Sequence, residues 1–431
     1  ASAGPAAPPA AGGGGAVHAV SVQGKTAATQ YVVPATWEPV KNLGSGAYAT
    51  VAAFRGPGGA TFAVKKIERV LDHPVLALRT LREVRLLAHL SHSNVLSIEE
   101  FFLEGPNFKD VYLRLEMMDG DLHQLIYGSK LSDQQIKWVL YQTIRGLLCL
   151  KTARVLHRDL KPGNILVKAA GEVKIADLGL ARAIDAKEDD HDKEALTEYV
   201  VTRYYRAPEV VLTATQYTHA VDMWSTGCIL GEMLKRKPLF QGKDSLDQIR
   251  QIVHVMGALS EEEMAWLPPS SPSRKFAEKC NQAANGDSAF QRLLKSPDMN
   301  PKATDLLARM LHFDPSRRVS VEDCLLHPYL ESFGADTDPE VAAARRVPPM
   351  DWSFDRDLCF EQDGGPRPYS VEAFRSAFYE TCRQVGRTSG AARGGGTPRA
   401  SAESDAPRQA DEPPKRWGRR WREQDPAAAA A

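Results

Sequence analysis

One short loop constrains this chain more than any other feature of its sequence. Residues 157–164 read His-Arg-Asp-Leu-Lys-Pro-Gly-Asn, so Asp159, Lys161 and Asn164 can converge on one small volume. Thirteen residues later comes Asp177, in the run Asp-Leu-Gly that follows a strand-like Val-Lys-Ile. Aspartate and asparagine supply hard oxygen ligands suited to Mg²⁺, and Asp159 remains available as a base. The order of these groups predicts a metal-dependent reaction site, because a loop that merely turns the chain does not require it.

The overall composition bounds the class of protein. The chain has 431 residues, 43% hydrophobic and 25% charged, which is typical of a soluble globular protein and excludes a wholly disordered or fibrous chain. Its 54 basic and 54 acidic side chains give a formal net charge of zero. This balance argues against general electrostatic binding to nucleic acid or to an anionic membrane.

Cysteine usage and the N-terminal residues predict the environment of the protein. The six cysteines are scattered without a Cys-x-x-Cys pair, which disfavours a disulfide framework and favours a reducing compartment. No window approaches the roughly 18 apolar residues that span a bilayer. The first 24 residues carry no Lys, Arg, Asp or Glu, unlike a signal or transit peptide. We therefore expect no membrane span and a cytoplasmic location, a nuclear one, or both.

Hydrophobic patterning divides the chain into parts. Residues 1–30 are rich in Ala, Gly and Pro and are expected to form a disordered leader, while residues 386–431 are expected to form a disordered basic tail. The pattern between them predicts an α+β fold, with a small strand-rich lobe over residues 31–118 and a larger helical lobe over residues 119–330. One helix is expected inside the small lobe, from Val75 to Leu90.

The start of one large-lobe helix is marked in the sequence. Ser132 and Gln135 have the spacing of a capping box, in which each side chain bonds the backbone N–H at the other position. Apolar residues then follow at helical spacing. We therefore expect a helix that begins directly after Ser132.

Three further features agree with a reaction site without deciding it. Residues 43–51 contain a Gly-x-Gly loop whose backbone N–H groups can approach phosphate oxygens, although a tight hairpin turn explains it equally well. Lys65 lies on a predicted strand, where the simpler interpretation is a surface lysine. Glu83 lies on the predicted helix, where it can simply pair with Arg79. Only their order ahead of residues 157–164 makes them candidates.

Taken together, these motifs resemble those of the eukaryotic protein kinases. Later signatures agree: Arg-Tyr-Tyr-Arg-Ala-Pro-Glu at residues 203–209 and Asp-Met-Trp-Ser at residues 222–225. Within the CMGC group, the chain resembles the mitogen-activated protein kinases of the extracellular-signal-regulated type. Three segments carry that narrower resemblance: Thr-Glu-Tyr at residues 197–199, Gly-Lys-Asp-Ser-Leu-Asp at 242–247 and Trp-Ser-Phe-Asp at 352–355.

The resemblance covers roughly residues 31–385 and implies a bilobal kinase fold. It places the family's large-lobe insert inside residues 119–330. It also implies that residues 331–385 form a C-terminal extension that wraps around the kinase. The implied activity is that of a serine/threonine protein kinase that uses ATP and Mg²⁺.

The resemblance also implies roles for individual residues. Lys65 would hold the α- and β-phosphates of ATP and pair with Glu83, while Asp159 would orient the substrate hydroxyl and accept its proton. Lys161 would neutralise the moving phosphoryl group. The implied Mg²⁺ ligands are Asn164 and Asp177. The implied nucleotide-binding residues are Leu43, Gly44, Ser45, Gly46, Ala47, Tyr48, Ala49, Thr50, Val51, Ala63, Lys65, Glu116, Met118, Asp121 and Leu166.

Regulation is implied by the same resemblance. An upstream dual-specificity MAP kinase kinase would phosphorylate Thr197 and Tyr199, phosphatases would reverse this, and the substrates would carry Ser-Pro or Thr-Pro sites. Arg206 matches the family position that favours proline after the phosphorylated residue. The family's phosphate receivers correspond to Arg82, Arg158 and Arg182 for the threonine and to Arg203 and Arg206 for the tyrosine.

The sequence departs from the family pattern at several positions. Ala49 replaces a glycine of the first loop, Leu178 replaces the usual phenylalanine after Asp177, and Gly163 replaces a commoner serine. None of these changes removes a charged group. Ala335 occupies one place of the family's acidic docking patch, and the acidic residues nearby are Asp336, Asp338 and Glu340.

One segment and two rival functions remain to be considered. The basic run at residues 415–422 fits a nuclear signal, a phosphate-rich surface or a partner, and equally a solvated tail without a specific role. A catalytically dead scaffold is disfavoured because every charged catalytic residue is present. A cyclin-dependent kinase is disfavoured by the Thr-Glu-Tyr sequence and by the C-terminal extension.

Overall fold

The computed structural model describes residues 16–24, 27–184, 203–213, 218–282, 288–361, 365 and 367–391. A strand-rich lobe precedes a helix-rich lobe, so the predicted α+β fold class is confirmed. The strands are β1 (Val17–Gln23), β2 (Ala28–Pro34), β3 (Glu38–Ser45), β4 (Ala49–Arg55), β5 (Thr61–Ile67), β6 (Ile98–Leu103), β7 (Val111–Leu115), β8 (Gly120–Asp121), β9 (Val155–Leu156), β10 (Ile165–Val167), β11 (Val173–Ile175) and β12 (Arg182–Ala183). The helices are α1 (Pro74–His89), α2 (Leu122–Gly128), α3 (Asp133–Thr152), α4 (Pro208–Leu212), α5 (Ala220–Lys235), α6 (Ser245–Met256), α7 (Pro272–Gln282), α8 (Ala289–Leu294), α9 (Pro301–Met310), α10 (Val321–Leu325), α11 (Pro339–Ala344), α12 (Ser353–Cys359) and α13 (Val371–Ala391).

The small lobe is built on a five-stranded antiparallel sheet in the order β3-β4-β5-β7-β6. Both faces of this sheet are covered. The large core cluster, which includes α1, packs on one face, and a second cluster built around Trp37 and Phe54 packs on the other. Strand β5 is consequently buried on both sides over most of its length. Lys65 thus lies on a central, covered strand, and the interpretation as a surface lysine is wrong.

The prediction of a disordered leader over residues 1–30 is wrong for its second half. Strands β1 and β2 form an antiparallel hairpin whose residues Val22, Tyr31 and Val33 are buried in the second core cluster. The high content of small residues concealed a period-two pattern that gives the hairpin one apolar face. Residues 1–15 lie outside the described residues.

The large lobe is organised around α3 and α5, both of which are mostly buried. The expected capping box at the start of α3 is confirmed: Ser132 Oγ accepts from Gln135 N, and Gln135 Oε1 accepts from Ser132 N. The short strands β8, β10 and β11 form a small sheet at the junction of the lobes. In this sheet β10, which follows residues 157–164, pairs with β11, which leads into Asp177. On the other side of the two segments, β9 pairs with β12.

The C-terminal segment returns to the small lobe. Tyr369 Oη donates to Leu71 O at 2.8 Å, and Arg85 Nε of α1 donates to Thr381 Oγ1 of α13 at 3.0 Å. Phe378 packs against Phe101 of β6. Helix α1 is therefore covered by the C-terminal segment along its outer side.

The expected start of a disordered tail at Gly386 is also wrong, because α13 continues to Ala391. The rest of the predicted tail, including the basic run at residues 415–422, lies outside the described residues. No helix among the described residues is long and apolar enough to cross a membrane. All six cysteines are free thiols in buried positions.

Candidate active site

Lys65 and Glu83 form an ion pair where β5 meets α1. The Lys65 ammonium donates to both Glu83 carboxylate oxygens, at 2.6 and 2.8 Å. Burial alone would lower the pKa of Lys65, but the charges of Glu83 and Asp177 raise it above its ordinary value. Lys65 is therefore a fixed cation, and the carboxylate of Glu83 is bound by this lysine from another element.

The loop at residues 157–164 is held by a carboxylate from α5. Asp222 accepts hydrogen bonds from the backbone N–H groups of His157 and Arg158, both at 2.9 Å. Arg158 has a φ of 69°, in the left-handed region, so this anchoring fixes a backbone shape that the residue rarely adopts by itself. The His157 ring adds a second tie, from Nε2 to the Ala176 carbonyl at 3.0 Å. The loop is thereby fixed to the segment that leads into Asp177.

Asp159, Lys161 and Asn164 converge on one point, as their spacing suggests. Lys161 Nζ donates to Asp159 Oδ2 at 2.6 Å, and Asn164 Nδ2 donates to the same oxygen at 3.1 Å. Asn164 Nδ2 also donates to the Asp159 carbonyl at 2.8 Å. The carboxylate of Asp159 is thus oriented through Oδ2.

Asp159 and Asp177 lie in environments that shift their pKa values in opposite directions. Burial raises the pKa of Asp159, and the charge of Lys161 only partly offsets this. Burial also acts to raise the pKa of Asp177, but Lys65, Lys161 and other positive groups outweigh it, so its pKa is lowered. Two carboxyl groups whose pKa values are shifted apart in this way suit different roles, because Asp177 stays ionised while Asp159 is the better proton acceptor.

Leu178 performs the packing role expected of an apolar residue at this position. Its side chain is completely buried. Asp177 itself has a φ of 63°, and this left-handed backbone turns the chain directly before Leu178. The departure from the family pattern therefore preserves a buried apolar anchor next to the metal-ligand candidate.

The glycine-containing segment at residues 43–51 forms the tight connection between β3 and β4. Gly46 N donates to Ala49 O at 2.8 Å, so the hairpin interpretation of this loop describes its shape. No protein atom lies within 4 Å of where a Cβ would stand on Gly44. The space beside Gly44 is therefore open, and the hairpin shape is compatible with a phosphate-covering role.

The connection between the lobes is fixed through Glu116. Its carboxylate forms ion pairs with Lys168 and, at 3.0 Å, with Lys174. Burial acts to raise the pKa of Glu116, but its hydrogen bonds and charges with the two lysines outweigh this and lower it. The side chain of Glu116 thus ties the connection to β10 and β11, a contact that the sequence did not indicate.

The remaining nucleotide-site candidates lie around this connection. Ala63 pairs with Leu115 across β5 and β7, and Leu166 pairs with Asp121 across β8 and β10. Asp121 has a second task, since its carboxylate caps α2 by accepting from Gln124 N at 2.8 Å. Met118 is buried next to them in the large core cluster. The structure thus brings these candidates to the junction of the lobes.

The regulatory candidates are partly described. Arg82 and Arg182 both bind Asp355 of α12, while Arg158 lies on the loop that Asp222 anchors. Arg203 Nη1 donates to Lys243 O at 3.3 Å, and Arg206 N donates to Arg203 O at 3.0 Å. Thr197 and Tyr199 lie outside the described residues.

The acidic docking patch is reduced further by the structure. Ala335 is buried. Asp338 is occupied inside the fold: its carboxylate accepts from Tyr141 Oη at 2.6 Å and from Arg145 Nη1 at 2.9 Å. Of the nearby acidic residues, Glu340 binds Ser93 and only Asp336 is fully at the surface.

One further anchor, between Glu209 and Arg318, had no sequence signal. Arg318 donates two charge-assisted hydrogen bonds to the Glu209 carboxylate, at 2.5 and 2.6 Å, in a fully buried setting. Asp222 and Glu209 both lie in segments that the sequence marks only as family signatures. Their anchoring roles have no local sequence pattern, because their partners are distant in the sequence.

The bilobal fold and this set of charged residues define a eukaryotic protein kinase. In agreement, the family model of the protein kinase domain matches residues 37–330. The chain is similar to mitogen-activated protein kinase 14 of Arabidopsis thaliana, with 41% identity over 334 residues that cover 77% of this chain and 88% of the relative. It is also similar to mitogen-activated protein kinase 7 of the same plant, with 43% identity over 306 residues that cover 70% and 80%.

A third relative, extracellular signal-regulated kinase 1 of Dictyostelium discoideum, is 42% identical over 338 residues. The match covers 77% of this chain but only 62% of that kinase, so the chain spans less than two thirds of its length. The chain belongs to the mitogen-activated protein kinases, within the protein kinase family. It is a serine/threonine protein kinase, with protein substrates and upstream kinases.

Kinases of this family use ATP and Mg²⁺, and the residues present fit them. The described residues contain no cluster of three or more His, Cys, Asp and Glu side chains able to hold a metal ion. Mg²⁺ does not need one here, because it commonly binds one or two protein oxygens and completes its shell with water and substrate phosphates. Asp177 and the side-chain oxygen of Asn164 supply that limited donor set.

Proposed function

We propose that this kinase phosphorylates serine or threonine followed by proline and is activated by dual phosphorylation of Thr197 and Tyr199. The observation that carries the phosphoryl-transfer part of the proposal is the orientation of Asp159. The hydrogen bonds to its carboxylate, from Lys161 and Asn164, go to Oδ2. This arrangement leaves Oδ1 as an acceptor for a substrate hydroxyl.

The other charged residues have complementary roles in this proposal. Bound Mg²⁺ would neutralise phosphate charge, and Asn164 and Asp177 would hold it. Lys65, fixed by Glu83, would orient the nucleotide phosphates, and Lys161 would stabilise the transferred group. Phosphoryl transfer depends mainly on positioning and charge stabilisation, so no protein nucleophile is required.

Activation follows from charge. Phosphates on Thr197 and Tyr199 add about −3 to −4 charges in total. Shifting a segment from about 1% to 99% in one arrangement takes about 5.5 kcal/mol. Charge-assisted hydrogen bonds contribute about 1.5–3 kcal/mol each, so two to four of them suffice. The five arginines that match the family's receivers can supply that number.

Partners and location follow from the same proposal. We expect an upstream dual-specificity MAP kinase kinase and opposing phosphatases. Because Asp338 is bound by Tyr141 and Arg145, basic docking sequences should bind weakly at this face. The scattered thiols and balanced charge support a cytoplasmic or nuclear location, or both.

A peptide assay tests the proposal. The dually phosphorylated protein is given ATP, Mg²⁺ and a peptide with one Ser-Pro site, and a matched peptide has alanine in place of proline. The wild-type protein should phosphorylate the Ser-Pro peptide strongly. Asp159→Asn keeps the shape of the side chain but removes the base, so this variant should lose the activity. Equal rates on the two peptides would contradict proline direction, and full activity of Asp159→Asn would contradict the catalytic assignment.

A further inference from the structure

The C-terminal segment supplies one carboxylate that lies between α1 and β12. Asp355 lies on α12, and its Oδ1 accepts a hydrogen bond from Arg82 Nε at 2.5 Å. Its Oδ2 accepts from Arg182 Nη1 at 2.8 Å. Asp355 is only 7% exposed. One buried anion therefore bridges two guanidinium groups that belong to different elements.

Both arginines are close neighbours of groups that take part in the proposed chemistry. Arg82 directly precedes Glu83 on α1. Arg182 begins β12, five residues after Asp177. Asp355 thus ties the helix that carries Glu83 to the segment that follows Asp177.

The segment that carries Asp355 is itself firmly seated on α1. The Arg85 guanidinium lies over the Phe354 ring, 4.5 Å from its centroid, and Arg85 Nε donates to Thr381 Oγ1. Cys382 Sγ contacts Phe101 O at 3.2 Å. The segment that carries the Asp355 carboxylate is therefore held in place by packing, so the position of this carboxylate can constrain α1.

We propose that Asp355 is a positioning residue for phosphoryl transfer, through the bridge that it makes between Arg82 and Arg182. Removing this buried anion takes away the contact that the two guanidinium groups share, which weakens the tie between the elements that carry them. The carboxylate holds α1 against the segment after Asp177, and this keeps Glu83 within reach of Lys65. The inference rests on the proposed roles of Lys65 and Glu83.

The first test compares substitutions at Asp355 with a matched control on the same helix. Asp355→Asn keeps the side-chain size and removes the charge, Asp355→Glu keeps the charge, and Asp357→Asn removes an exposed carboxylate two residues away. We expect Asp355→Asn to lower kcat about tenfold with KM for the Ser-Pro peptide unchanged within about twofold. Asp355→Glu should recover part of the loss, and Asp357→Asn should behave as wild type. Unchanged or increased kcat for Asp355→Asn would overturn the proposal.

A double-mutant cycle separates positioning from a general loss of stability. If Asp355 acts through Glu83, then Asp355→Asn in a Glu83→Gln background should lower kcat by less than about twofold. The same tenfold loss in both backgrounds would overturn the inference, since the two residues would then act independently. Hydrogen exchange of α1 gives a readout without catalysis: Asp355→Asn should speed exchange over residues 74–89, and Asp357→Asn should not.

The remaining outcomes are also assigned. If Asp355→Asn fails to fold, Asp355→Glu decides: a folded protein with partly retained kcat supports positioning by charge, and a second failure to fold shows a purely structural role. If the wild-type protein transfers phosphate to neither the Ser-Pro peptide nor its alanine counterpart, the proposed function fails. The exchange of α1 then still measures whether Asp355 holds this helix.

Discussion

The two halves of the active site are held in different ways. The loop that carries Asp159 is fixed inside the large lobe, where Asp222 binds two of its backbone N–H groups and His157 binds Ala176. The Lys65–Glu83 pair depends instead on α1, whose outer side is bound by the C-terminal segment. One half is therefore complete within its own lobe, and the other relies on residues almost three hundred positions away along the chain.

This difference indicates where control can act. A reaction that needs both halves can be regulated at the half that is held by charged contacts from distant parts of the chain. Arg82 belongs to that half, Asp355 joins it to Arg182 of the large lobe, and both arginines match the family's phosphate receivers. We therefore expect substitutions in the large-lobe half to abolish activity, and substitutions around α1 to reduce it in part.

The largest effect is expected for Asp222→Ala. It leaves the N–H groups of His157 and Arg158 without their acceptor, at about 1–3 kcal/mol each, so the free energy of unfolding should fall by about 2–6 kcal/mol. Because Arg158 is then free to leave its left-handed conformation, Asp159 loses its position and kcat should fall at least about a hundredfold. Urea denaturation and peptide phosphorylation measure the two effects.

The capping residue Ser132 provides the control for that experiment. Ser132→Ala removes a helix cap far from the loop and should cost about 1 kcal/mol of unfolding free energy, with kcat unchanged. A fall in kcat for Ser132→Ala that matches the one for Asp222→Ala would show that general destabilisation, and not the loop anchor, controls activity.

A smaller effect is expected when one phosphate is replaced by a carboxylate. Thr197→Glu supplies about one negative charge and two acceptor oxygens, whereas a phosphate carries about −1.5 to −2 charges and three. We expect less than about one tenth of the activity of the dually phosphorylated protein. Full activity of Thr197→Glu, measured on the Ser-Pro peptide without an upstream kinase, would show that α1 needs no multiple charge-assisted contacts.

The chemistry of the site was more predictable than its supports. Asp159, Lys161 and Asn164 lie within six residues of one another, so their spacing alone indicates that they converge. The Lys65–Glu83 contact followed from the family resemblance. The supports join distant positions: Asp355 is 273 residues from Arg82, and no local pattern links them.

The N-terminal hairpin was missed for another reason. An average over residues 1–30 is dominated by Ala, Gly and Pro, yet seven residues of alternating pattern are enough for a strand. Whether such a strand forms depends on the apolar face that it can cover. That face includes Phe54 and Tyr112, which come later in the chain, so the leader could not be assigned from its own composition.

The smallest effect is expected at the connection between the lobes. Glu116→Gln removes the charge that binds Lys168 and Lys174, so the connection should be less well ordered before nucleotide binds. We expect KM for ATP to rise about threefold with kcat nearly unchanged, because the affected contacts bind the nucleotide and not the transferred group. Glu172→Gln is the matched control, since Glu172 is more exposed and pairs only with Lys168 among the described residues. An unchanged KM for ATP, or an equal rise in the control, would contradict this role.

The stabilising effect of Glu116 should depend on pH in a defined direction. Its pKa is lowered in the folded protein from the ordinary value of 4.5, so the ionised form stabilises the fold. This contribution is present above pH 4.5 and is lost as the pH falls through the lowered pKa, because the unfolded chain takes up the proton first. The difference in unfolding free energy between wild type and Glu116→Gln should therefore be constant from pH 6 to 7 and shrink below about pH 4.5. If this difference in unfolding free energy grows as the pH falls, the two lysines do not hold Glu116 ionised. Other residues must then join the connection between the lobes to the large lobe.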